Sequence, residues 1–133
     1  NTGYLFNNWS GDTVGTTNPG SVTMNGDKTI TANFKATVVL IAPSGTLTSW
    51  DNTFSWTGLT DATWYLLELY TTDGTQVFRK WYTSAQTNCT GGTNCSVTAS
   101  EINLENGDYK WRVMDYGAYG YGTWTGYLNF SIP

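Results

Sequence analysis

Ala62-Thr63-Trp64-Tyr65-Leu66-Leu67-Glu68-Leu69-Tyr70-Thr71-Thr72-Asp73-Gly74-Thr75-Gln76-Val77-Phe78-Arg79-Lys80-Trp81-Tyr82 is the stretch that decides the fold. Two runs rich in aromatic and branched residues flank an Asp-Gly pair, the strongest short-range signal for a β-hairpin. A two-residue turn at Asp73-Gly74 predicts the register. Thr72 lies opposite Thr75, Tyr70 opposite Val77, Glu68 opposite Arg79 and Leu66 opposite Trp81. On the other parity Leu69 meets Phe78, Leu67 meets Lys80 and Tyr65 meets Tyr82. The Glu68–Arg79 pair marks its face as the solvated one, so Tyr65, Leu67, Leu69, Phe78 and Tyr82 face the core. Lys80 then points inward, which fits an edge strand guarded by a charge.

The same rhythm extends to both sides. Strand-like runs at Thr37–Ala42, Thr53–Trp56, Trp64–Thr71, Gln76–Tyr82, Ser96–Ala99, Asp108–Tyr116 and Trp124–Ile132 are separated by turn residues. That number and spacing predict an antiparallel β-sandwich. On Asp108–Tyr116, Tyr109, Trp111 and Val113 point inward, leaving Lys110, Arg112 and Met114 outside. Before Thr37 the chain reads as a smaller piece with strands at Gly3–Trp9, Ser21–Met24 and Thr29–Phe34. A bulged turn at Asn25-Gly26-Asp27 would align the apolar faces of the last two. Such a piece buries too little to be stable alone. Trp9, Trp56 and Trp111 read as core residues. The domain expectation is therefore a partial β-repeat over residues 1–35 and a sandwich over 36–133.

Composition narrows the function. Only 12% of the 133 residues are charged and 16% are aromatic, with 15 glycines. A net charge of −4 with six basic residues argues against nucleic acid, which needs a basic stripe. No apolar run is long enough to span a membrane as a helix. The start at Asn1, without Met or a signal peptide, reads as a processed or excised piece. There is no histidine, which removes the usual general base and metal ligand. No nucleophile elbow, phosphate loop or calcium loop occurs, and Asp27, Asp61, Asp73 and Asp108 read as turn residues. The expectation is a protein that is not an enzyme and needs no cofactor or metal.

Cys89 and Cys95 flank a Gly-Gly turn, close enough to bridge. The alternatives are two free thiols, or a metal pair that lacks a third ligand. A bridge implies an oxidising, extracellular compartment. So short a ring would add about 2–2.5 kcal/mol on the chain-entropy estimate, pinning a loop rather than the fold. The sequons at Asn8, Asn88, Asn94 and Asn129 read as chance in a chain rich in Asn and Thr.

Two family resemblances follow. Phe6-Asn7-Asn8-Trp9-Ser10-Gly11-Asp12, Asn18-Pro19, Met24 and Gly26-Asp27-Lys28-Thr29-Ile30-Thr31-Ala32-Asn33-Phe34 resemble the later half of the divergent internalin-type B-repeat of bacterial surface proteins. Ala42-Pro43-Ser44-Gly45, Phe54-Ser55-Trp56, Leu104-Glu105-Asn106-Gly107-Asp108-Tyr109-Lys110-Trp111 and Tyr119-Gly120-Tyr121-Gly122-Thr123-Trp124 resemble a bacterial fibronectin type III-like domain of secreted and surface proteins. In that likeness Tyr109 takes the place of the tyrosine corner. The resemblance implies a secreted or cell-surface module that serves as a spacer or a sugar binder.

The aromatic residues carry the functional expectation. Trp64 and Trp81 share the outward face with Glu68, Arg79, Arg112 and Tyr70. Flat rings there would stack on the C–H face of a pyranose while the polar groups bond its hydroxyls. Tyr116, Tyr119 and Tyr121, in the glycine-rich stretch Asp115–Trp124, offer adaptable loop contacts. The competing reading packs Trp64 and Trp81 against the cysteine loop or the N-terminal piece, with the tyrosines covering the sandwich end. The expected partner is a polysaccharide or glycan. The alternatives are an assembly subunit that binds other copies of itself through its N-terminal strands, and a passive spacer.

Overall fold

The structure, a computed structural model, describes residues 3–133, so Asn1 and Thr2 of the expected N-terminal piece lie outside the described residues. The chain divides into two compact units, Asn1–Thr37 and Val38–Pro133. All described regular structure is β, and among the described residues no helix is long and apolar enough to cross a membrane.

The first unit is a two-stranded antiparallel sheet of β1 (Tyr4–Gly11) and β2 (Ile30–Ala36). Phe6 pairs with Phe34 and Trp9 with Ala32, with a bulge between Phe6 and Asn8. The bulge keeps Phe6 and Trp9 on one face, where their rings lie 5.1 Å apart. The expected strand at Ser21–Met24 does not form. Instead the loop from Asp12 to Thr29 is closed by Thr29 N–H donating to the Asp12 carboxylate and Asp12 N–H donating to the Thr29 carbonyl. Trp9 explains the difference. Its Nε1 donates to the Thr17 carbonyl and its ring lies against Gly20, so this segment wraps the tryptophan instead of pairing with β2. Trp9 is half-buried rather than a core residue.

The second unit is an antiparallel-rich β-sandwich. One sheet has three strands in the order β3 (Leu40–Ala42), β5 (Thr53–Thr57), β8 (Asn94–Thr98). The other runs β4 (Gly45–Thr46), β11 (Leu128–Ile132), β9 (Gly107–Gly117), β6 (Ala62–Thr71), β7 (Gln76–Thr83), with β10 (Gly120–Tyr121) on the end of β9. The two-residue β4 joins β11 in parallel. Alternation fills the space between the sheets. Phe54 and Trp56 come from β5, Tyr65, Leu67 and Leu69 from β6, and Trp111 and Val113 from β9, all fully buried. Trp111 stands 5.0 Å from Phe54 and 6.3 Å from Trp56, centroid to centroid, and its Nε1 donates to the Pro43 carbonyl at 3.0 Å. Each such side chain contributes about 1.5–3 kcal/mol by burial. Tyr109 is also inward, and its hydroxyl donates to the Glu105 carbonyl at 2.9 Å, the geometry of a tyrosine corner.

Cys89 and Cys95 are bridged. Both are fully buried members of the core, because β8 presents Cys95 inward opposite Trp56. The bridge therefore sits inside the sandwich, where the sequence suggested only a peripheral loop clasp. Gly58 permits this: a Cβ there would collide with the Thr93 carbonyl and press on the disulfide.

The hairpin register holds from Leu69–Phe78 outward, through Glu68–Arg79, Leu66–Trp81 and Tyr65–Tyr82. Next to the turn it differs. Gly74 N–H donates to the Thr71 carbonyl and Thr71 N–H to the Thr75 carbonyl, making a three-residue loop with Gly74 at φ 99°. That is a type I turn with a glycine bulge, so Tyr70 faces Gln76 and not Val77. β7 is an edge strand, and the inner-parity Lys80 reaches out to Glu101 at 3.0 Å.

Candidate functional site

The outer face of the β9–β6–β7 sheet carries the candidate residues. Trp64 pairs with Thr83 on one flank and Tyr116 on the other, and Leu66 lies between Trp81 and Met114. A bulge at Thr63, between the Ala62–Gly117 and Trp64–Tyr116 pairs, sets the angle at which Trp64 leaves the sheet. The chain then doubles back. β10 pairs Gly120 with Gly117 and Tyr121 with Tyr116, which brings the Tyr121 ring over the same face.

The result is an open cleft of 360 Å³ lined by Trp64, Trp81, Tyr116 and Tyr121, one residue from each of four strands. Tyr116 and Tyr121 have ring centroids 5.0 Å apart, and Trp81 lies 6.4 Å from Tyr116 and 6.2 Å from Tyr121. Trp64 is 40% exposed and Tyr121 69%. The two tryptophans of the expected platform and two of the three loop tyrosines thus belong to one surface.

The polar candidates are elsewhere on that face. Glu68 is buried, which corrects its reading as a solvated residue. Its ion pair is with Arg112 at 3.3 Å and not with Arg79, which is exposed. Both arginines lie opposite Glu68 in register, on opposite flanks of β6. Arg112 wins because aromatic rings hold it: its guanidinium lies 3.9 Å from the Trp124 ring centroid and 5.0 Å from that of Tyr127. Tyr70 donates its hydroxyl to the Glu68 carboxylate, and that bond, foremost among the causes, raises its pKa. Glu68, Arg112 and Tyr70 are therefore an internal network rather than free hydroxyl-binding groups. Leu66 is fully buried on the same outward parity, between Trp81 and Met114 in register.

Tyr119 also leaves the proposed contact set. Its hydroxyl donates to Asp115 Oδ2 at 2.6 Å. Burial first, then the Asp115 carboxylate, pushes its pKa up. Asp115 is itself buried, and a Cβ on Gly122 would run into its carboxylate. Gly122 N–H donates to the Asp115 carbonyl at 2.8 Å, and Thr125 N–H to the Val113 carbonyl at 3.0 Å. These bonds fasten the returning chain along β9 and so fix Tyr121. Trp124, Tyr127 and Asp115 were missed as supporting residues. Trp124 and Tyr127 follow β9 on a stretch with no regular alternation, whereas Asp115 lies within β9 on the buried parity of Trp111 and Val113.

Among the described residues no group of three or more His, Cys, Asp or Glu side chains could hold a metal ion. Among the described residues no charged side chain lines the cleft.

Residues 1–38 match the family model described as a divergent InlB B-repeat domain, in agreement with the motif at Phe6–Asp12 and Gly26–Phe34. No curated protein and no solved structure matches the chain. The repeat and the disulfide together point to a module of an extracellular surface protein.

Proposed function

We propose that Val38–Pro133 is a non-catalytic, carbohydrate-binding accessory domain of a fibronectin type III-like kind. The observation that carries this reading is the convergence of Trp64, Trp81, Tyr116 and Tyr121 on one open cleft. Exposed rings in a contiguous patch are costly for a soluble surface and mark sites of contact. Aromatic faces suit the C–H faces of sugar rings. The order of strands and the Tyr109–Glu105 bond support the choice of fold kind. Affinity electrophoresis through gels containing soluble polysaccharides tests the reading. The wild-type chain should be retarded in at least one gel, and Trp81→Ala and Tyr121→Ala should each lose the retardation. Equal retardation of both variants and wild type would remove the cleft from the account.

A second reading is favoured by the first unit. Its apolar face exposes Tyr4, Phe34 and Ile30 at 57%, 62% and 40%, and among the described residues β1 and β2 pair with each other and with no third strand, β1 being bridged on its other edge at Trp9 by Gly15. Open edges invite strand addition by another copy of the chain. On this reading the full chain sediments as oligomers that Phe34→Glu disperses. A monomer at all concentrations excludes it.

A further inference from the structure

The cleft chemistry selects among glycans, and this selection rests on the carbohydrate reading above. We infer that the cleft takes neutral pyranose chains whose hydroxyls are all equatorial, as in β-1,4-linked gluco-configured polysaccharides, and rejects uronic acid chains and sugars with axial hydroxyls.

The inference starts from what the lining lacks. Four aromatic side chains make the walls, and the polar atoms they offer are two phenol hydroxyls and two indole N–H groups. A hydroxyl pressed against a ring face loses its water and finds no partner, which is costly. An all-equatorial pyranose avoids that cost. Its hydroxyls radiate at the rim, where they stay hydrated, and both of its faces present only C–H groups to the negative π surface. An axial hydroxyl at C2 or C4 projects from one face and lifts it off the ring.

Charge points the same way. Arg112, a half-buried cation on this face, is committed to Glu68 and to the Trp124 and Tyr127 rings. Arg79 stands outside the lining, and the whole chain carries −4. A uronate carboxylate would meet π faces and a negative protein field with no cation to receive it.

Aromatic walls also attract quaternary ammonium groups. The spacing argues against that occupant. Ring centroids 5.0, 6.2 and 6.4 Å apart put Trp81, Tyr116 and Tyr121 in contact with one another. Rings in mutual contact, at interplanar angles of 80°, 47° and 56°, line a cleft that is open to solvent, so a trimethylammonium would meet rings over only part of its surface.

Titration calorimetry of the full chain against cellohexaose, chitohexaose, mannohexaose, oligogalacturonate and choline chloride distinguishes these occupants. Trp81→Ala and the exposed Tyr121→Ala serve as paired variants. The expected result is binding of cellohexaose or chitohexaose, weakened about tenfold or more by either variant, with mannohexaose and oligogalacturonate at least that much weaker on wild type. Variant-sensitive binding of mannohexaose or oligogalacturonate as tight as that of the gluco series overturns the selectivity and leaves the carbohydrate reading standing. Variant-sensitive binding of choline alone, or no binding of any ligand, overturns both.

Discussion

The tyrosines show how one residue type is put to different uses. Burial raises the phenol pKa of Tyr65 and Tyr119, and it pushes Tyr82 up to about 12, with Glu101 adding to the effect. A phenol raised above its ordinary value of 10.0 is folded in its neutral form. Its contribution to stability is therefore complete below about pH 10 and is lost as pH climbs through the folded values. Phenolate absorbance from Tyr65 and Tyr82 should appear only as near-ultraviolet circular dichroism collapses. Ionisation of all nine tyrosines with the dichroism intact would refute the burial of Tyr65 and Tyr82. Glu68 is a second case. Its loss leaves Arg112 charged and only 24% exposed, so Glu68→Ala should cost about 1.5–3 kcal/mol in urea unfolding. The double variant Glu68→Leu/Arg112→Met should cost less than Glu68→Ala alone, because no buried charge is stranded. Additive losses would mean that the pair contributes nothing.

At the scale of elements, β7 is the strand whose behaviour the sequence foretells best. Lys80 sits on the inner parity of an edge strand, leans out to Glu101 and passes 5.2 Å from the Tyr82 ring centroid. A charge so placed obstructs a second chain that would pair along the edge. Lys80→Val should leave the monomer folded yet raise the scattered light at high concentration, with the new species dispersed by Lys80→Glu at the same position. Unchanged scattering by the valine variant would show that the edge needs no guard. The hairpin was legible because Asp73-Gly74 and strict alternation fix pairing from both ends. Its turn was misread by one residue, since Asp-Gly serves a two-residue loop and a bulged three-residue loop equally well. The register beyond survived because the extra residue, Val77, is absorbed before Phe78. Trp64 and Trp81 were legible as outward residues for the same reason. The pairing of Glu68 with Arg112 was not, because Arg112 is held against Trp124 and Tyr127. Those rings come from a glycine-rich return with no period to place it. Ser21–Met24 failed in the same way: alternation over four residues lost to the bond between Trp9 and Thr17.

Across the whole molecule, stability is unevenly shared. None of the described residues 3–37 is buried, and the apolar contacts of the first unit centre on Phe6, Trp9 and Phe34, the last of them 62% exposed. The second unit encloses Phe54, Trp56, Tyr65, Leu67, Leu69, Trp111 and Val113 together with the Cys89–Cys95 bridge. Local opening free energy follows buried apolar contact, and backbone hydrogen bonds without cover exchange through small fluctuations. Native-state hydrogen exchange on the full chain should therefore separate the units. Amides of β1 and β2 should exchange with low protection even at Trp9, and those of β5, β6 and β9 should exchange only through global opening. Reducing the disulfide should lower the protection of β5, β6 and β9 together by about 2–2.5 kcal/mol, the loop-entropy contribution of so short a ring, and leave β1 and β2 unchanged. Protection in β1 and β2 equal to that of β9 would mean that the first unit is covered by something, and a second copy of the chain would then be the first occupant to test. In that event the protection should fall on dilution, whereas cover from within one chain is independent of concentration.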